Sequence, residues 1–167
     1  QVLYQVRSES ISQPGEVSFP GGGVEEGETP QQAAVREAVE ELNIQPEQID
    51  ILGEIDYLVF ERSTIHCFVG RLNLDWMTIV PNEEVARIFT VPLSTLLTIQ
   101  PVYYQLDSKV VPECDFPFER LRGGISYPFS YQKRSIPFYE QLPENIWGMT
   151  AQFTHRFTEI INQQTSP

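Results

Sequence analysis

One stretch leaves this chain little freedom: "TPQQAAVREAVEELN", Thr29 to Asn43. Thr29 is a good N-cap, Pro30 suits the first helical position, and Gln32 completes a capping box with Thr29. Asn43 follows the last turn, where a left-handed residue commonly ends a helix. The sequence therefore predicts a helix over residues 30–42. On that helix Glu37, Glu40 and Glu41 fall within an arc of about 100°. Ala34, Val35, Ala38, Val39 and Leu42 form the apolar side. Like charges this close repel by about a few tenths of a kcal/mol per exposed pair, and only Arg36 stands beside them to compensate.

Two readings compete for the glutamates. One is a solvated acidic face. The other is a ligand set for a hard divalent cation such as magnesium, which takes oxygen donors and bridges to substrate phosphates. The preceding residues favour the second. Gly21, Gly22 and Gly23 let the backbone bend tightly and approach a ligand. Glu28 sits just before the helix start, where negative charge is favourable. Arg36 can reach Glu40 at i,i+4 and orient it.

Elsewhere the patterns are coarser. Val2 to Ser8 alternates like a strand, "SESISQPGE" is a loop, and "EVSF" is a short strand. Gln1 falls directly into the first strand, so further residues, and with them another strand, are expected upstream. "IDILGEIDYLVF" and "STIHCFVGRLNL" read as two strands. A third is expected near Ala86 to Val91, followed by a short helix from about Pro92. Residues 98–145 are the least readable, with strands expected near Val102 to Leu106 and Ile125 to Tyr131. A helical pattern returns from Trp147 to Ile161. The simplest account is one α+β domain over residues 1–167, with 98–145 as an insertion-like segment.

Composition narrows the partners. The chain has 167 residues, of which 41% are apolar, enough for one real core. Its net charge of −12 makes it a poor partner for bare nucleic acid or an anionic membrane. Bound divalent cations can still invert the local sign of a site, so an anionic small substrate fits. Cys67 and Cys114 lack metal-like spacing and do not suggest a disulfide scaffold; Cys67 reads as a small core residue. No window is long and apolar enough to span a membrane and no signal peptide is visible, so a cytoplasmic protein is the default.

The order Gly22, Glu28 and then "REAVEELNI" resembles the Nudix box, the signature of the Nudix hydrolases. Gly22, Glu28, Arg36, Glu37, Ala38, Glu40, Glu41 and Ile44 match it. Asn43 replaces the pattern's second glycine, and Asn tolerates the left-handed conformation better than most residues. The resemblance implies an α/β/α sandwich around a mixed central sheet, with the box as a loop-helix-loop. It implies metal-dependent hydrolysis of a nucleoside diphosphate linked to another moiety, with Mg²⁺ or Mn²⁺ as cofactor. Glu37, Glu40 and Glu41 carry over as metal ligands, and Glu28 and Arg36 as residues that shape the loop and orient the carboxylates. Glu84, with Glu83 next, is where many family members place one more acidic residue; an ordinary polar loop is the alternative. A non-catalytic nucleotide-binding module is a third reading, which the complete set of box carboxylates disfavours.

Upstream, Arg7-Ser8, Gly15 and Phe19-Pro20-Gly21-Gly22 resemble the motif before the box in coenzyme A pyrophosphatases. The loop is one residue shorter than that motif, and an arginine expected near Ile11 or Ser12 is absent. "VARIFTVPLSTLL" and "IWGMTAQFTHRF" are similar to segments of the same subgroup. Coenzyme A is thus the expected substrate, with ADP-ribose or a nicotinamide dinucleotide as the alternative. Arg7 either contacts a phosphate or pairs with Glu9 or Glu16. Arg120, Arg122, Lys133 and Arg134 either meet the substrate's 3′-phosphate or form a solvated loop. Tyr103, Tyr104, Tyr127 and Phe129 either stack an adenine or belong to the core. Residues 98–145 are expected to form a substrate lid or a homodimer contact.

Overall fold

The computed structural model describes residues 1–107, 111, 114–129 and 133–165. Its strands are β1 (Val2–Arg7), β2 (Val17–Ser18), β3 (Ile49–Val59), β4 (Thr64–Leu72), β5 (Val85–Val91), β6 (Val102–Asp107) and β7 (Lys133–Phe138). Its helices are α1 (Pro30–Leu42), α2 (Leu93–Leu96) and α3 (Gly148–Thr165).

The alternation of β1 builds the sandwich. β1 is the middle strand of the sheet β2-β1-β5, so both its edges are hydrogen-bonded. Tyr4 and Val6 face one way, into a cluster with Val17, Val91, Leu96, Tyr139, Ile146 and Ala151 of α3. The Tyr4 hydroxyl pairs with that of Thr154 on α3 at 3.0 Å. Leu3 faces the other way, against Leu42 of α1 with Ile44 and Ile79, where Ile88 of β5 also packs. α1 and α3 therefore lie on opposite sides of this sheet. Ile99 packs against the first cluster and Tyr139 and Ile146 belong to it, so both ends of the 98–145 stretch are tied to the core.

The α+β class and the sandwich are as expected, but every described strand pairing is antiparallel, in sheets β2-β1-β5, β3-β4 and β6-β7. A parallel pair needs a crossover of about a dozen residues or more. The links 8–16 and 60–63 are too short for one. The long link through α1 leaves one sheet and enters another.

α1 spans the expected residues, and the Thr29–Gln32 capping box is complete. The strand expected over Ile125 to Tyr131 does not form: Gly124–Ser126 is a 3-10 turn, and the strand lies at Lys133–Phe138. Gly123 and Gly124 both have positive φ, 101° and 57°, which breaks extended backbone there. Residues 130–131 lie outside the described residues. Pro137 is tolerated in β7 because a two-stranded sheet has only edge strands.

Candidate active site

The glycine loop and α1 are joined by Arg36. Its Nε and Nη2 donate to the two carboxylate oxygens of Glu28 at 2.9 and 3.2 Å, and Nη2 also donates to the Gly23 carbonyl at 2.8 Å. Nη1 donates to Glu37 at 2.8 Å and, more loosely, to Glu40 at 3.4 Å. The Arg36 bond, together with one from the Glu25 N–H, holds the Glu28 carboxyl below its usual range. Glu28 and Glu37 in turn hold the Arg36 proton more firmly than usual. Arg36 thus links Glu28 and the Gly23 carbonyl of the glycine loop to the carboxylates of α1.

Glu41 behaves differently. It is 4% exposed, whereas the Glu40 side chain is 54% exposed. Glu41 Oε2 accepts from the Gly21 N–H at 2.9 Å and from Gln5 Nε2 at 3.1 Å. Burial pushes its carboxyl above the usual range, the two hydrogen bonds oppose this, and the charges of Glu37 and Glu84 add to the upward push. Gly22 has a packing reason to be glycine. A Cβ there would fall inside contact distance of the Glu37 carboxylate.

The loop with Glu84 is pinned to the end of α1. The Asn82 N–H donates to the Glu41 carbonyl at 2.9 Å, and Asn43 Nδ2 donates to the Val80 carbonyl at 3.0 Å. Asn43 is left-handed (φ 50°, ψ 49°), so it fills the conformational place of the missing glycine and anchors this loop as well. Glu83 and Glu84 are exposed, and only Glu84 contributes its charge to Glu41.

The expected metal ligands are not drawn into one cluster. Among the described residues, no group of three or more His, Cys, Asp or Glu side chains converges as a metal site. The reason is local: Arg36 occupies Glu37 and Glu40, while Glu41 turns toward Gln5 and Gly21. The donor set nonetheless suits a hard divalent cation. It offers carboxylate oxygens on adjacent turns, one of them buried with its charge unfavourable and pressed by two like charges.

The remaining expected substrate contacts are scattered. Arg7 Nε and Nη2 donate to the Ser12 carbonyl at 2.6 Å and hydroxyl at 3.0 Å, so its side chain ties the 8–16 loop rather than pairing with Glu9 or Glu16. Among the described residues, no hydrogen bond or ion pair links Arg120 or Arg122 to the box. Lys133 lies 4.0 Å from Asp107 across the β6–β7 sheet. Tyr103, Tyr104 and Tyr127 are 47, 49 and 41% exposed rather than core. Phe116, Phe118, Tyr127 and Phe129 pack on one another. Burial and the charges of Asp56 and Glu54 push the Cys67 thiol up to about 12, which keeps it neutral and unreactive.

Sequence reasoning missed Gln5. The available signal was a polar residue in "VLYQVR", a strand otherwise apolar at its centre.

A three-layer α+β sandwich, with a glycine loop leading into a helix of ordered carboxylates, defines a Nudix-type domain. Residues 1–114 match the NUDIX domain family, and the chain belongs to it. It is 24% identical over 157 residues to Nudix hydrolase 3 of Caenorhabditis elegans, covering 89% of this chain and 61% of that protein. It is 36% identical over 107 residues to the peroxisomal coenzyme A diphosphatase NUDT7 of Mus musculus, covering 62% of this chain and 45% of that protein. To the uncharacterized Nudix hydrolase NudL of Photorhabdus laumondii it is 29% identical over 152 residues, covering 90% and 71%. The chain thus spans less than two thirds of the first two relatives. No described helix is long and apolar enough to cross a membrane.

Proposed function

We propose that this chain is a divalent-cation-dependent Nudix pyrophosphohydrolase acting on coenzyme A. Water would cleave the pyrophosphate P–O bond to give 4′-phosphopantetheine and adenosine 3′,5′-bisphosphate. The observation that carries the hydrolase reading is Glu41, a buried carboxylate held by the Gly21 N–H and flanked by the charges of Glu37 and Glu84. Support for coenzyme A comes from the Arg7-to-Gly22 motif and from the similarity to the mouse protein named for that substrate.

Glu37, Glu40 and Glu41 would hold Mg²⁺ or Mn²⁺. When bound, the cation polarises phosphoryl oxygens and lowers the pKa of water at the reacting phosphorus. Arg36 keeps Glu37 and Glu40 oriented from below. Gly21 and Gly22 would let the backbone approach the pyrophosphate, and a side chain at position 22 would push the Glu37 carboxylate out of its place. Glu84, exposed at the rim, is the remaining acid for proton transfer. Arg120 and Arg122 are the cations for the 3′-phosphate. We also propose a cytoplasmic location, which fractionation of the source cells checks.

Purified protein incubated with coenzyme A and Mg²⁺ or Mn²⁺ should release 4′-phosphopantetheine. Coenzyme A should lead ADP-ribose and reduced nicotinamide dinucleotide in kcat/KM. Absence of phosphopantetheine removes the coenzyme A reading, and absence of turnover on all three removes the hydrolase reading.

A further inference from the structure

Gln5 is a polar residue where the fold asks for an apolar one. It pairs with Ser18 of β2 on one side and Ile88 of β5 on the other, at the centre of the sheet. It shares the α1-facing side of β1 with Leu3 and is 1% exposed. Burying an amide with its polar atoms unpaired costs about 1–3 kcal/mol by mutational measures. Here half of the amide is unpaired: Nε2 donates to Glu41 Oε2 at 3.1 Å, while Oε1 is buried without a partner. Core packing does not explain that cost, since a Leu or Met would avoid it.

The geometry at Glu41 supplies the explanation. The Gln5 amide and the Gly21 N–H both end on the same oxygen, Oε2. Among the described residues, Glu41 Oε1 accepts no hydrogen bond. Turning the Gln5 amide over would set its Oε1 against a carboxylate oxygen, so the NH₂-inward orientation suits an ionised Glu41. The carboxylate is therefore fixed in one rotamer by one oxygen, with the other left open.

We infer that Gln5 is a positioning residue, which anchors Glu41 through Oε2 so that Oε1 stays free for a hard divalent cation. This rests on the metal-binding reading above. Supporting groups of this kind typically change metal affinity by about 10–100-fold when removed.

The test is Mn²⁺ titration of the intact chain, following free Mn²⁺ by electron paramagnetic resonance, beside melting curves. Gln5→Met keeps the length without the amide, and Gln5→Asn keeps the amide but falls one methylene short of Glu41. Both variants should bind Mn²⁺ about tenfold or more weakly. The metal-free Tm of Gln5→Met should stay close to that of the parent, because loss of the unpaired Oε1 offsets loss of the Nε2 bond to Glu41. In a Glu41→Gln background, Gln5→Met should cause no further loss. Parent-like Mn²⁺ affinity in either variant overturns the inference, and so does an undiminished loss in the Glu41→Gln background. A parent protein that binds no Mn²⁺ sinks the metal reading and this inference with it. Tight parental binding indifferent to position 5 sinks this inference alone.

Discussion

The stretch from Phe19 to Ile44 and the stretch from Thr98 to Asn145 are similarly rich in special residues, but they are organised in opposite ways. In the first, the contacts are short-range and polar: Thr29 with Gln32, Glu28 with Arg36, Gly21 with Glu41. In the second, order comes from β6 reaching across to β7, from aromatic rings packing on one another, and from two ends sunk in the core. Chemistry requires charged atoms held in fixed places, and a capped helix with an arginine hub supplies them locally. The aromatic stretch has exposed ring surface and reach instead.

The largest effect expected from this contrast is in the box. Glu41→Gln should lower kcat by about 10³-fold while the circular dichroism spectrum stays unchanged. A rate within tenfold of the parent would remove Glu41 from the metal site. The same substitution should raise the metal-free Tm, since it removes a buried charge, and its amide can donate toward the unpaired Gln5 Oε1.

Next in size is Gly22→Ala. The backbone there tolerates alanine, so the added Cβ acts only by displacing the Glu37 carboxylate. Mn²⁺ affinity and kcat/KM should fall about 10–100-fold with little change in Tm. Unchanged affinity would show that Glu37 does not need the place it occupies.

The third expectation is pH-dependent. The folded Glu41 carboxyl is raised above its unfolded value of 4.5. Its contribution to metal-free stability is thus fully present below that pH and is lost as pH rises through the folded value. Cation binding needs the ionised form and works in the opposite direction. At 100 times its Kd the cation adds about 2.7 kcal/mol, or about 5–10 °C for a domain of this size. That increment should be large at pH 7.5 and shrink toward pH 5, as scanning calorimetry with and without Mg²⁺ would show. An increment independent of pH would detach Glu41 from the cation.

The smallest effect belongs to the aromatic stretch. Arg120→Ala with Arg122→Ala should raise KM for coenzyme A about fivefold, the equivalent of about 1 kcal/mol or one ordinary hydrogen bond, and leave KM for ADP-ribose unchanged. If both substrates respond alike, these arginines do not read the 3′-phosphate, and the stretch has another task.

The same contrast governs what could be read from the sequence. The bounds and caps of α1 were legible because a capping box and a left-handed Asn act within a few residues. Arg36 beside the acids was visible for the same reason, and its pairing with Glu28 spans only eight residues. The strand expected at Ile125 to Tyr131 was misplaced because Gly123 and Gly124 take positive φ, which apolar and aromatic character alone does not reveal. Gln5 and the inward turn of Glu41 were invisible because they depend on β1 lying against α1. Nothing in the spacing of residues 5 and 41 encodes that meeting.

The hydroxyl pair of Tyr4 and Thr154 joins β1 to α3, across a separation of 150 residues. Contacts this distant close late, because the entropy of the intervening loop must be met before they stabilise anything. β1 holds Gln5, and α3 seals β1 from the opposite face. The seat of Glu41 thus leans on a strand whose other face is closed by residues about 150 positions further along the chain.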